Sequence, residues 1–198
     1  MQLGKRWLRG VFILVIAAGA MAPSSATTLV RAGLESLVAG NEKVVVAEVR
    51  EAHSYWNEEQ TSILTDVRLE ATEVLKGDPR DTEITVTILG GSVGDLTELI
   101  VGGAELIPGK SYVLFLNEDG LPGVQRVLTV REHSQGVFEV VRARDGYRAI
   151  SQANRHPLVP DALGFVDPPG GAKGLLLNDM IGSIREFAGR QGTRREVK

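Results

Sequence analysis

The stretch Ala104-Glu105-Leu106-Ile107-Pro108-Gly109-Lys110-Ser111 comes nearest to a motif that does chemistry. A phosphate-binding loop needs glycine, four residues, then Gly-Lys-Ser/Thr opening a helix, whose free amides receive the phosphate. Here Ala104 stands where the first glycine belongs, Gly103 is one residue too far away, and Ser111 to Leu116 reads as a strand. Spacing and context both fail, so no nucleotide site is expected. The three histidines, His53, His133 and His156, form no HxH or HxxxH pair and have no cysteine to join them. A zinc site therefore lacks its usual ligand spacing. No GxSxG elbow occurs. His133 and Ser134 are adjacent, which does not build a dyad, because neighbours on a strand point to opposite faces. Carboxylates such as Glu58, Glu59, Asp95 and Glu98 read as solvated surface, where most acidic side chains lie. No catalytic residue, metal or cofactor is expected. A hydrolase with an unrecognised carboxylate or histidine site is the alternative, and it requires a pocket that gathers at least two of these groups.

The aromatic residues give one lead. Tyr55 and Trp56 fall at the first loop between charged residues. An exposed Trp in a loop is a common contact residue; a Trp covering one end of the domain is the competing reading.

These residues must be held by β structure. Leu29, Val30, Leu34, Leu37 and Val38 first make a helical stripe that stops at Gly40-Asn41. Val44 to Val49 is rich in β-branched residues. Ile63, Thr65, Val67, Leu69 and Ala71 then share one parity, against Asp66, Arg68, Glu70 and Thr72, which predicts a strand with one wet face. The parity slips at Val74-Leu75, implying a bulge or the strand's end. Gly77 to Asp81 reads as a turn and Ile84 to Ile88 as a strand. Gly90-Gly91 and Gly102-Gly103 bracket a weaker strand, Leu96 to Val101. Tyr112 to Leu116 is apolar on both parities and should be buried on both faces. A turn is expected at Asn117 to Gly120, then strands at 127–130, 137–141 and 147–150, with Asp145-Gly146 as a hairpin signal. Short strands at this spacing suggest a sandwich or a small barrel. Leu176, Leu177, Met180, Ile181, Ile184, Phe187 and Ala188 recur at helical spacing and should pack on it.

The first residues read as an export signal. Lys5, Arg6 and Arg9 precede an uncharged run from Val11 to Ala22. Pro23 ends the run, and Ser24-Ser25-Ala26 supplies the small residues that a signal peptidase reads. The run falls short of the roughly 20 residues that cross a bilayer. Export by the general secretory route, with cleavage after Ala26, is expected, to the periplasm or the extracellular space. Without cysteine there is neither a lipid-bearing cleavage site nor a disulfide. Roughly 170 residues remain, enough for one unstapled core. The chain's net charge of −3 argues against nucleic acid, and Arg190, Arg194, Arg195 and Lys198 read as a frayed, solvated end. The expected organisation is a signal peptide at 1–26, a β domain with an N-terminal helix at 27–150, a Pro/Gly-rich arm at 151–174, a helix at 175–190 and a disordered tail at 191–198.

Several segments in order resemble a known group. They are Glu42 to Val49, Val74-Leu75-Lys76-Gly77, Gly90-Gly91-Ser92-Val93-Gly94, Pro108 to Leu116, and Gln135-Gly136-Val137-Phe138. Together they resemble an uncharacterised family of secreted bacterial proteins that is itself similar to the netrin-like modules of tissue inhibitors of metalloproteinases. The resemblance spans roughly residues 40–142 and implies a small OB-like antiparallel β-barrel packed with helices. It also implies a binding role, with a secreted peptidase or other envelope protein as partner. The inhibitors' N-terminal cysteine has no counterpart, since the mature chain would begin at Thr27. OB-type barrels bind through one sheet face and its loops, which singles out Tyr55, Trp56, Gly91, Ser92 and Gly94.

Overall fold

Strand β1 (Lys43–Trp56) opens with Val44, Val45, Val46 and Ala47, all buried, because it is covered on both faces. The computed structural model describes residues 32–130, 133–154 and 174–196. The expected signal peptide, the first residues of the N-terminal stripe, His156 and nearly all of the Pro/Gly-rich arm lie outside them. After α1 (Leu34–Gly40) and β1 come β2 (Ile63–Lys76), β3 (Glu83–Leu89), β4 (Gly91–Val93), β5 (Leu96–Glu98), β6 (Ser111–Leu121), β7 (Val124–Val130), β8 (Val137–Ala143), β9 (Gly146–Ser151), β10 (Leu175–Leu176) and α2 (Leu177–Glu196). The fold is thus mainly antiparallel β with a helix near each end. Among the described residues no helix is long and apolar enough to cross a membrane.

One eight-stranded sheet runs β10-β9-β8-β6-β1-β2-β3, with β7 joined to β6. β6 is its hub. One edge pairs with β1, while the other pairs first with β8, over Ser111 to Leu114, and then with β7, from Leu116 onward. Hydrogen bonds do not close the sheet: β3 and β7 lie alongside each other without a ladder. β4 and β5 form a separate two-stranded hairpin.

Alternation divides most of the apolar residues between two cores, with Val141 and Ile150 in a small third cluster. Val45, Ala47 and Val49 of β1 join Val67, Leu69, Ile84, Val86, Tyr112, Leu114 and Leu116 in one. Val44, Val46, Val113 and Phe115 turn the other way, onto Leu37 and Val38 of α1 and Met180 and Ile184 of α2. The run from Tyr112 to Leu116 is buried on both faces, as its double-parity pattern predicts.

Tyr112 is fully buried, and its hydroxyl accepts the Ile107 N–H at 3.1 Å. Burial pushes its phenol up to about 12, against an opposing pull from that N–H. The folded chain therefore holds this proton more tightly than the unfolded one. The stabilisation is whole below the unfolded phenol's value of about 10 and is lost as pH climbs toward about 12. The denaturation midpoint should fall across that window, and Tyr112→Phe should make the fall shallower; equal slopes would contradict this.

Several boundaries differ from expectation. α1 begins at Leu34 because extended Gly33 (φ −74) is its N-cap, not an interior residue. β2 runs on to Lys76, so the parity slip is a bulge: Leu75 is the extra residue between the Val45↔Val74 and Val44↔Lys76 pairs. Tyr55 and Trp56 end β1 and do not sit in the loop. Asn117 to Gly120 is not a turn but part of β6; the chain reverses at Pro122-Gly123, where Gly123 takes φ +75. Asn57 fixes that reversal by donating to the Pro122 carbonyl. Leu96 to Val101 is not one strand, since β5 stops at Glu98. The final helix starts at Leu177 and covers the expected disordered tail as far as Glu196.

Lys76 of the Val-Leu-Lys-Gly segment closes the end of α1. Its ammonium donates to the carbonyls of Val38 (2.6 Å) and Asn41 (2.7 Å) and to Gln191 Oε1 of α2 (3.0 Å). Carbonyls at a helix C-terminus lack partners within the helix, and a cation there also suits the dipole. Lys76→Met should cost about 1.5–3 kcal/mol, the range for hydrogen bonds from a charged donor. It should lower the urea midpoint without changing the slope; a loss near zero would remove this role.

Candidate functional site

The β4–β5 hairpin sits over the end of the first core because of two glycines. Gly90 (φ +93) and Gly91 (φ +138) turn the chain after β3 into conformations that side chains rarely adopt. Gly90 N donates to the Ile63 carbonyl at 2.8 Å. Gly91 lies so close to the sheet that an added Cβ would stand 2.3 Å from Thr65 Oγ1 and 2.4 Å from Ser54 Oγ. Those hydroxyls bond each other at 2.8 Å, and Thr65 donates to the Gly90 carbonyl at 2.6 Å. The Glu98 carboxylate accepts the Ile63 N–H. Ser92 and Thr97 bond at 2.8 Å across the hairpin, which turns at Gly94-Asp95.

Between the hairpin, β3 and the loop after β5 runs a groove of about 520 Å³. Ser54, Thr65, Gly91, Ser92, Glu98 and Ile100 are among its lining residues. A smaller recess of about 270 Å³ adjoins it, where the ends of β3 and β7 face each other beside Asp119 and Leu121. The outer surface here is apolar. Leu96, Leu99 and Val101 are 60%, 81% and 93% exposed. None of the three belongs to the first core, whose Val45, Val49, Val67, Leu69, Leu114 and Leu116 are buried.

The five sequence-derived candidates therefore separate. Gly91 and Ser92 line the groove, and Gly94 (φ +59) makes the hairpin tip. Tyr55 is on the opposite face of β1 from Ser54. It is half-buried and donates to Asp66 Oδ1 at 3.1 Å, an atom that also accepts from Thr87 at 2.7 Å. Burial and then Asp66 raise its phenol above the ordinary value. Trp56 is half-buried at the strand's end and does not line the groove. Sequence reasoning missed Ser54, Thr65 and the exposed Leu96, Leu99 and Val101. The one available signal was the aliphatic run between two glycine pairs, which reads equally well as a buried strand.

The hydroxyls of the groove bond one another or backbone carbonyls. Among the described residues no Ser or Thr hydroxyl is bonded to a histidine, and no three His, Asp or Glu side chains gather as metal ligands. His53 is exposed and stacks against Tyr55 at 6.3 Å. Two carboxylates, Glu98 and Glu105, line the groove, which is the gathering that the hydrolase alternative requires; Glu98 is already engaged by the Ile63 amide. In the near-miss phosphate loop, Lys110 pairs with Glu139 at 2.7 Å and Ser111 opens a strand. The arrangement offers a shaped apolar and hydroxyl-lined surface. No family model matches the chain, and searches of curated proteins and of solved structures give no significant match.

Proposed function

We propose that the chain is an exported, non-enzymatic binding module that contacts another secreted or envelope protein through the β4–β5 hairpin and the loop after it. The observation that carries this reading is the exposure of Leu96, Leu99 and Val101 beside the groove. Burying one such side chain at an interface contributes about 1.5–3 kcal/mol, and leaving three in water confers nothing on the fold. Export rests on the Lys5, Arg6 and Arg9 start, the apolar run and Ser24-Ser25-Ala26. N-terminal sequencing of the exported chain should begin at Thr27; a chain that keeps Met1 removes this part of the reading.

The host is a partly open five-strand barrel of the OB type, β1-β2-β3-β7-β6. Its support is the apposition of β3 and β7 and a core drawn from all five strands. A netrin-like ancestry, and with it a secreted peptidase as partner, rests on the segments from Glu42 to Phe138. A photo-crosslinking residue at position 99, introduced in the exporting cell, should give an adduct of discrete mass, while one at Thr85 on the outer face of β3 should not. Adducts at neither position, or equally at both, would sink the reading. Unchanged cleavage rates in mixtures with secreted metallopeptidases would remove the peptidase alone.

A further inference from the structure

The charges around the hairpin say what kind of partner it takes. Residues 91–109 contain Asp95, Glu98 and Glu105 and no lysine or arginine. Glu98 reaches the start of β2, next to the β1–β2 turn, where Glu58 and Glu59 are exposed and where 51–67 likewise hold no lysine or arginine. Asp119 borders the adjoining recess. The carboxylates of Glu58, Glu59, Asp95, Glu98 and Glu105 have no ion pair among the described residues, although acids elsewhere on the sheet, such as Glu48, Glu70, Glu118 and Glu139, do. Among the described residues, three exposed aliphatics are thus bordered by carboxylates that have no ion pair.

We infer that the β4–β5 hairpin docks a cationic amphipathic segment of a partner protein, in which aliphatic side chains alternate or interleave with lysine or arginine. This rests on the binding reading above and names its partner chemistry. Apolar side chains of the segment would cover Leu96, Leu99 and Val101. Its cations would meet Asp95, Glu98 and Glu105, whose field would also steer its approach. The same field disfavours the other two occupants of an exposed apolar patch. A second copy of this chain would oppose the same carboxylates to one another, and an anionic bilayer would be repelled.

Fluorescence anisotropy of the purified exported chain tests this with three labelled peptides of equal length, one alternating leucine and lysine, one leucine and glutamate, one serine and lysine. The leucine–lysine peptide should bind about tenfold or more tightly than either of the others, and its affinity should fall between about 50 and 500 mM salt. The double change Leu99→Ser/Val101→Ser should weaken it about tenfold, and Asp95→Asn/Glu105→Gln should flatten its salt dependence. Equal binding of the leucine–glutamate peptide, equal binding of the serine–lysine peptide, or full affinity in the Leu99→Ser/Val101→Ser chain would each overturn the inference. So would self-association, or binding to phosphatidylglycerol vesicles in place of the peptide. A position-99 crosslink in the cell with no peptide preference would leave the binding reading standing and remove only this one.

Discussion

Phe115→Ala should lower the free energy of unfolding by about 3–5 kcal/mol and its neighbour Leu114→Ala by about 2–5 kcal/mol, the ranges for emptying a packed core site. Adjacent residues of one strand normally differ sharply in cost, because one of them faces water. Here both are fully buried, Leu114 among Val45, Val67 and Val86, Phe115 among Val38, Met180 and Ile184, with the Phe138 ring 5.9 Å away. Strand β2 supplies the contrast. Leu69 is 2% exposed and should behave like Leu114, whereas Arg68 and Glu70 are exposed with surface ion pairs and should change stability by no more than about 1 kcal/mol on truncation. Urea unfolding gives the magnitudes. Amide exchange separates the two cores: only Phe115→Ala should speed exchange in α1 and α2, which pack on its side of the sheet. Should Phe115→Ala fail to fold, Phe115→Leu keeps the comparison. A cost below about 1 kcal/mol at either position would contradict the two-sided burial.

That strand was legible from its residues because burial on both faces leaves a continuous apolar run, and β2 was legible because burial on one face leaves strict alternation. What escaped was set by contacts between distant residues. Asn117 to Gly120 has ideal turn composition, yet Asn117 is buried in β6 and its Oδ1 accepts the Glu42 N–H at 3.0 Å. The reversal waits for Pro122-Gly123, held by Asn57 across a long separation in sequence. Gly33 weakened the stripe as an interior residue but fits it as a cap. The candidate site was half legible. Glycine pairs marked a special backbone at Gly90-Gly91, and Gly91 and Ser92 do line the groove. Composition could not say that Leu96, Leu99 and Val101 face water, since exposure is a property of what fails to pack on them. Tyr55 and Trp56 were drawn into the site by their type and by an expected place in the first loop, whereas they end β1. Alternation along β1 sends Tyr55 to the other face, where Asp66 holds it.

Gly91→Val should detach the hairpin and abolish the proposed docking on it while leaving the two cores folded. A β-branched residue at φ +138 carries backbone strain of about 1–3 kcal/mol, and overpacking adds about 1–3 kcal/mol more. The Cβ would meet the hydroxyls of Thr65 and Ser54 well inside contact distance, and Thr65 is held in place by the Gly90 carbonyl. The hairpin is a separate two-stranded unit that lies against β1 and β2 and is fastened by the Gly90–Ile63 and Thr65–Gly90 bonds and the Glu98 carboxylate. Such a unit is marginal by itself, so releasing it costs less than absorbing the full strain. The global urea midpoint should therefore move little. Limited proteolysis should cut new sites between Ser92 and Val101, and a crosslinker at position 99 should lose its adduct. Adding Ser54→Ala and Thr65→Ala should restore the hairpin only in part, because the two hydroxyl clashes are removed but the 3.1 Å approach to the Cβ at position 54 and the strained φ remain. Full restoration would mean that the clash alone fixes glycine at this position. No change in proteolysis for the single variant would mean that the hairpin does not depend on its close approach to the sheet.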